Sequence, residues 1–165
     1  MPDRSPAPGS LALIETLVNT LDIETGQDAL DRPETRQSLG VTDVEAAREL
    51  RESLRAVLLA HAGHPPHRDV TPLSDLLAAA PLLLRTTPDG TLHLEPADPA
   101  PLLSRVAAAI TEALFTATWP RLKACESPTC HWAYYDRSPA ARSRWCSMQV
   151  CGARAKMRRY RAKDT

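Results

Sequence analysis

Cys125-Glu-Ser-Pro-Thr-Cys130 and Cys146-Ser-Met-Gln-Val-Cys151 are two C-x4-C pairs separated by fifteen residues, and they hold all four cysteines of the 165-residue chain. Four thiolates bind Zn²⁺ tetrahedrally and close its coordination shell, which makes a structural site; a catalytic zinc keeps one position open. The metal would supply folding free energy that so short a segment cannot draw from a hydrophobic core. Two other readings stand beside zinc. Two disulfides could form, in any of three pairings, but disulfides persist in oxidising compartments and the N-terminus shows no export signal. A dithiol redox pair prefers C-x-x-C, which is absent. His131, next to Cys130, either replaces one ligand or hydrogen-bonds nearby.

A second chemistry follows the cysteines. Net charge is zero, yet residues 121–165 hold eleven Lys/Arg against Glu126, Asp136 and Asp164, a balance of +8, and residues 1–120 hold nine against seventeen, a balance of −8. Zinc with four thiolates would leave the tail at roughly +6. No acid lies between Asp136 and Asp164. Solvated helix faces normally mix signs, so one-sided charge points to phosphates, and basic arms commonly meet nucleic acid. The candidate contacts are Arg142, Arg144, Arg154, Lys156, Arg158, Arg159, Arg161 and Lys163.

The residues from Cys125-x4-Cys130-His-Trp-Ala-Tyr-Tyr-Asp-Arg-Ser138 through Arg144-Trp-Cys-Ser-Met-Gln-Val-Cys-Gly-Ala-Arg154-Ala-Lys156 resemble the CGNR zinc finger of a family of bacterial stress-induced transcription regulators. The signature reads Cys151-Gly152-Ala153-Arg154 here, with Ala at the Asn position, so any contact made by that Asn is missing. In that family the finger follows a helical domain called ABATE, and Leu17-Val-Asn-Thr-Leu21 resembles that domain's opening motif. The resemblance implies a zinc-dependent regulator.

The elements that must position this tail are mostly helical. Residues 1–9 are Pro-rich and expected to be disordered. Ser10 caps a helix with Leu11, Ile14, Leu17, Val18 and Leu21 inward; Asn19 ties down the following loop, residues 22–31, or binds a ligand. A short helix follows Pro33 and stops at Gly40. Thr42-Asp-Val-Glu45 reads as a capping box for a helix to about Ala60 with Val44, Ala47, Leu50, Leu54, Val57 and Leu58 inward. Its charged run, Arg48, Glu49, Arg51, Glu52 and Arg55, reads as a solvated face. His61, His64 and His67 recur every three residues, but Pro65 and Pro66 break any helix that would align them on a metal. Thr71-Pro72 caps a helix through Ala79. Leu82–Thr86 and Thr91–Glu95 flank Pro88-Asp89-Gly90 as a β-hairpin. Asp98-Pro99 starts a helix with Leu102, Leu103, Val106, Ile110, Ala113 and Leu114 buried, ended by Trp119-Pro120.

In the tail, residues 131–135 have strand character, residues 136–143 make a return with a second strand, and Ser147 opens a helix to about Lys163 that carries Cys151. Val150, Ala153, Met157 and Tyr160 share one stripe of it, expected to pack on the hairpin or the body. The expected architecture is mainly α: a disordered tail (1–9), a helical domain with one β-hairpin (10–120) and a small treble-clef-like zinc finger with a basic C-terminal helix (121–165).

The function this supports is a zinc-dependent transcriptional regulator whose finger meets double-stranded DNA, and whose helical domain forms a homodimer or senses a small-molecule effector. The alternative is an interaction module for a partner protein or RNA, favoured if Trp132, Tyr134 or Tyr135 is exposed. A variant has the acidic body mask the basic arm. No Gly-rich phosphate loop, G-x-S-x-G or HExxH is present, so no enzymatic activity is expected. With no apolar run of eighteen residues, no membrane span is expected, and the default compartment is the cytoplasm. Many Ala and Pro, with Arg favoured over Lys, suggest a GC-rich bacterial genome.

Overall fold

The computed structural model describes residues 5–162. Helix α3 (Val44–His61) is the axis around which the rest is placed. The Asp43 side chain caps it by accepting from the Ala46 N–H at 3.0 Å. The cap expected at Thr42 therefore falls one residue later, and Glu45 turns to Arg48 at 2.5 Å instead of closing a capping box. Leu50, Leu54, Leu58 and Leu59 are buried, and each full leucine burial contributes about 1.5–3 kcal/mol.

Before α3 come α1 (Leu11–Val18), a 3₁₀ turn (Ala29–Asp31) and α2 (Pro33–Leu39). Leu11, Ile14, Leu17 and Val18 are buried as expected, but Ser10 makes no side-chain capping bond. The Pro-rich segment expected to be disordered is placed at residues 5–9, where Ala7 is buried and its N–H donates to Glu15 at 2.6 Å; residues 1–4 lie outside the described residues. Gly40 ends α2 in the left-handed region, φ 62°.

After α3 come α4 (Leu73–Leu77), the antiparallel hairpin β1 (Leu82–Thr86) with β2 (Leu92–Pro96), and α5 (Leu102–Phe115). Thr71 does not cap α4, because its hydroxyl bonds Glu49 at 2.5 Å. Asp98 accepts from Ala100 in a turn ahead of α5, which begins only at Leu102. Leu114 is exposed, contrary to its place on the expected stripe, because the core side of α5 is held by Leu102, Val106, Ala109, Ile110 and Ala113.

A 3₁₀ turn (Trp119–Arg121) leads to β3 (Leu122–Ala124), which pairs antiparallel with β4 (Ala133–Tyr135). The partner of β4 thus precedes the first cysteine; the return at 136–143 forms no strand. Asp136 explains why. It is fully buried, takes Lys123 at 3.0 Å and accepts from the Ser138 and Ser143 N–H groups at 3.0 and 2.8 Å, so the return is organised around a carboxylate. Leu122, Ala124 and Ala133 belong to the same core cluster as α1, α3 and α5. The finger's small sheet is therefore continuous with the helical body.

The charged run of α3 is the largest departure from expectation. Arg51, Glu52 and Arg55 are only 4, 2 and 0% exposed. Arg51 reaches Asp28 at 2.8 Å, and Glu52 accepts from Arg51 at 2.8 Å and Arg55 at 3.1 Å. Arg48 alone of the three arginines behaves as a surface residue, paired with Asp28, Asp31 and Glu45.

Candidate metal centre and its basic helix

The first knuckle forms because its backbone folds onto the Ser127 carbonyl, which accepts from the N–H groups of Cys130 at 2.9 Å and His131 at 3.2 Å. His131 follows with φ 45°, and its Nδ1 lies 3.0 Å from the Cys125 carbonyl oxygen. This closes the turn and shows His131 as a neighbour of the cluster. Ser147 then opens the second pair, its hydroxyl accepting from the Val150 N–H at 3.3 Å. The chain makes a π-helical turn (Met148–Gly152) before regular helix α6 (Ala153–Arg161). The wide turn carries Cys151 inward. Gly152 matters here: a Cβ on it would stand 3.0 Å from Met148 Sδ and 3.2 Å from the Trp145 ring.

These turns bring the Sγ atoms of Cys125, Cys130, Cys146 and Cys151 within 4.8 Å of one another. Cys146 Sγ lies 3.6 Å from Cys130 Sγ and 3.7 Å from Cys151 Sγ. A tetrahedron with metal–sulfur bonds of 2.3 Å has edges of about 3.8 Å, so the four sulfurs fit one ion of zinc's size. All four cysteines are free thiols, none paired in a disulfide. As bare thiols they conflict. Hydrogen bonds from Cys130 and Cys146 hold Cys125 far below the usual thiol range, and that thiolate in turn pushes Cys130 and Cys146 up. A divalent cation resolves the conflict by stabilising all four thiolates together.

Residues far back in the chain hold the knuckle in place, and the sequence did not reveal them. Arg55 donates to the His131 carbonyl at 2.8 Å, to the Val18 carbonyl at 2.8 Å and to Glu52 at 3.1 Å. Asn19 does not tie down its own loop. Its amide donates to the Ala133 carbonyl at 3.0 Å and its oxygen accepts from the Ala133 N–H at 2.7 Å, so it pairs with β4 as a strand neighbour would. The three spaced histidines go to three partners: His61 to the Leu122 carbonyl at 2.8 Å, His64 beside Glu126 at 3.6 Å, and His67 to Glu52 at 3.1 Å. All three therefore face the finger or its support.

Helix α6 leaves the cluster with no buried residue. The stripe expected to pack on the hairpin or body is instead open, with Val150 at 45%, Met157 at 52% and Tyr160 at 65% exposure. Lys156, Arg158, Arg159 and Arg161 are exposed, as is Arg142. Arg144 is exposed but pairs with Glu126 and lies over the Trp145 ring, and Arg154 pairs with Glu24 at 3.1 Å. Lys163 lies outside the described residues. Tyr134 is buried, and Trp132 and Tyr135 are half-buried, so the finger offers no open aromatic platform there.

A helical domain whose core runs into a four-thiol finger ending in a basic helix defines a zinc-finger class of protein. Residues 121–164 match the CGNR zinc finger, and residues 10–117 match ABATE, described as "Putative stress-induced transcription regulator". The chain belongs to the ABATE family and carries a CGNR zinc finger. Ala153, at the signature's Asn position, is exposed at the start of α6 and takes no part in the thiol cluster. No curated protein matches the chain. Among the described residues no helix is long and apolar enough to cross a membrane.

Proposed function

We propose that this chain is a transcriptional regulator that binds duplex DNA through a zinc-held finger, with one Zn²⁺ on Cys125, Cys130, Cys146 and Cys151. The observation that carries the reading is α6: it projects from the thiol cluster with Arg154, Lys156, Arg158, Arg159 and Arg161, no acid and no buried side chain. Zinc here is structural, because four sulfurs leave no open position for a substrate. It fixes Cys151 against the two knuckle cysteines, and so fixes the start of α6. The cations then meet phosphates without regard to sequence, and an arginine that reaches a guanine edge adds base preference. In this proposal the helical body (10–120) and the finger (121–165) divide the work, the body supporting the finger through Arg55 and Asn19 and serving for dimerisation or effector sensing. The site offers no catalytic role.

The test is fluorescence anisotropy with random-sequence duplex DNA over a salt series. Five phosphate contacts give a log–log slope of roughly −4.5, at about −0.9 per contact. Arg158→Ala should flatten it by about one contact. A folded finger that fails to bind even at low salt would refute the reading.

One observation favours a second reading. Met157 and Tyr160 lie open amid cations, which suits a protein partner with an acidic rim and apolar anchors. The Arg154–Glu24 pair belongs with it, since it shows that an acid of the body already touches the basic helix.

A further inference from the structure

A cavity of about 350 Å³ lies where the helical body meets the finger. Glu15 and Thr16 of α1 and Thr35 of α2 line it on the side of the body, and Trp132, Tyr134 and Cys146 on the side of the finger. Its volume falls at the small end of the range for small-molecule sites, and its lining mixes a carboxylate, hydroxyls and aromatic rings. The N-terminal segment is pinned beside it. Arg137 donates to the Ser5 and Pro6 carbonyls at 3.0 and 2.6 Å, the Ala7 N–H donates to Glu15, and Pro6 lines the cavity.

The polar atoms of the lining define what it takes, because most are already spent on the protein. Both ends of the Asn19 amide bond Ala133, the Thr20 hydroxyl donates to the Leu17 carbonyl and accepts from Arg51, and the Tyr134 hydroxyl donates to the Ser143 carbonyl. Glu15 is the exception. It is the one carboxylate of the lining, half-buried, with no Lys or Arg beside it in the wall. Its Oε2 accepts from Ala7, while its Oε1 has no donor among the described residues and is not enclosed by the protein. Burial pushes the carboxyl up, and the Ala7 bond and the charge of Arg137 only partly offset that. A partly desolvated carboxylate with an open oxygen calls for a cationic donor. Two further features act in the same sense. Trp132 and Tyr134 line the same space, and an ammonium is attracted to the face of such rings. Cys146 lines it as well, and four thiolates on one Zn²⁺ would carry a net charge of −2. With no second carboxylate in the lining, a second ammonium would find no partner.

We propose that this junction cavity binds a small organic monoamine, its ammonium on Glu15 and an apolar body against Trp132 and Tyr134. The site gives the effector sensing of the helical body a place and a ligand class. It is separate from α6 and stands whether or not α6 meets DNA.

Isothermal titration of the zinc-loaded full chain with phenethylamine, protonated at neutral pH, and with phenethyl alcohol, its uncharged counterpart, tests it. The amine binds one per chain, and the alcohol binds about tenfold or more weakly, the usual worth of a hydrogen bond to a charged group. Glu15→Gln brings the amine down to the level of the alcohol. Glu112→Gln, at an exposed carboxylate of α5, leaves the binding of both unchanged and so controls for general attraction to the acidic body. If Glu15→Gln fails to fold, Thr16→Lys, at an exposed position of the lining, still decides: it sets a cation beside Glu15 and weakens the amine about tenfold. Equal affinity for amine and alcohol, or no saturable binding of either, overturns the proposal. So does amine binding that survives Glu15→Gln or is lost in Glu112→Gln.

Discussion

Replacing Arg55 with methionine separates a solvated charge from a structural one. In the structure Arg55 is wholly buried and makes three bonds, two to the carbonyls of Val18 and His131 at 2.8 Å and one to Glu52 at 3.1 Å. Methionine fills much of the volume but leaves two carbonyls without a donor and Glu52 with one arginine fewer. Removing one partner of a buried pair destabilises by about 3–5 kcal/mol. For a chain of this size that is a fall in Tm of about 6–20 °C. The assay is thermal unfolding by circular dichroism, with Arg48→Met as the control on the same helix, where the partners Asp31 and Glu45 are exposed, Asp28 keeps Arg51, and the loss should count for much less. Because Arg55 holds the backbone of His131, next to Cys130, the variant should also release metal to a chelator faster than the natural chain. If Arg55→Met and Arg48→Met melt within a degree or two of each other, the buried network is not what joins the knuckle to α3.

Asn19→Ala removes both bonds to Ala133 and should cost about 1–3 kcal/mol by urea unfolding, whereas a loop-only role would leave the exchange rate of the Ala133 amide unchanged. Glu52 makes stability depend on pH. Burial alone would raise its pKa, but the bond to His67 and the charges of Arg55 and Arg51 outweigh it and hold the carboxyl at about 2, against 4.5 ordinarily. A depressed acid stabilises fully above its unfolded pKa and loses that stabilisation as pH falls through the folded one, so roughly 3 kcal/mol should disappear between about pH 5 and 2. The difference between the natural chain and Glu52→Gln in urea unfolding at each pH isolates that share, since both carry the same metal site. Chelation of the metal should leave the amides of Leu122, Ala124 and Ala133 protected from hydrogen exchange, because they lie in the main core, while Cys146 to Arg161 exchange rapidly. Equal loss of protection in both segments would show that the sheet depends on the metal.

What the sequence made legible was whatever rests on apolar period or covalent spacing. The stripes of α1 and α3, the stop at Gly40, the β1–β2 hairpin and the C-x4-C pairs were all readable, since each is specified within a few residues. Buried polar contacts were not. Arg51, Glu52 and Arg55 look like a wet face because charge implies water, yet Leu59 falls between Arg55 and Glu52 on the helical wheel and is buried. That leucine was the available signal that α3 is enclosed on this side too. Asn19 bonds a residue 114 positions away, a distance over which no local pattern carries information. The partner of β4 was missed for a related reason: Leu122–Ala124 is too short to show alternation, and Asp136 reads as a loop acid until its three partners are seen. The open stripe of α6 is the opposite case, an amphipathic pattern with no core to receive it.

The central claim is that the metal site positions a DNA-binding helix. It is tested most directly by measuring the salt dependence of duplex DNA binding for the zinc-loaded chain and for the same chain stripped of metal. With zinc the slope should be roughly −4.5, and without it affinity should fall markedly at every salt concentration. Undiminished binding by the metal-free chain would contradict it, for the cations would then act as an unstructured tail and the four cysteines would have no part in holding them.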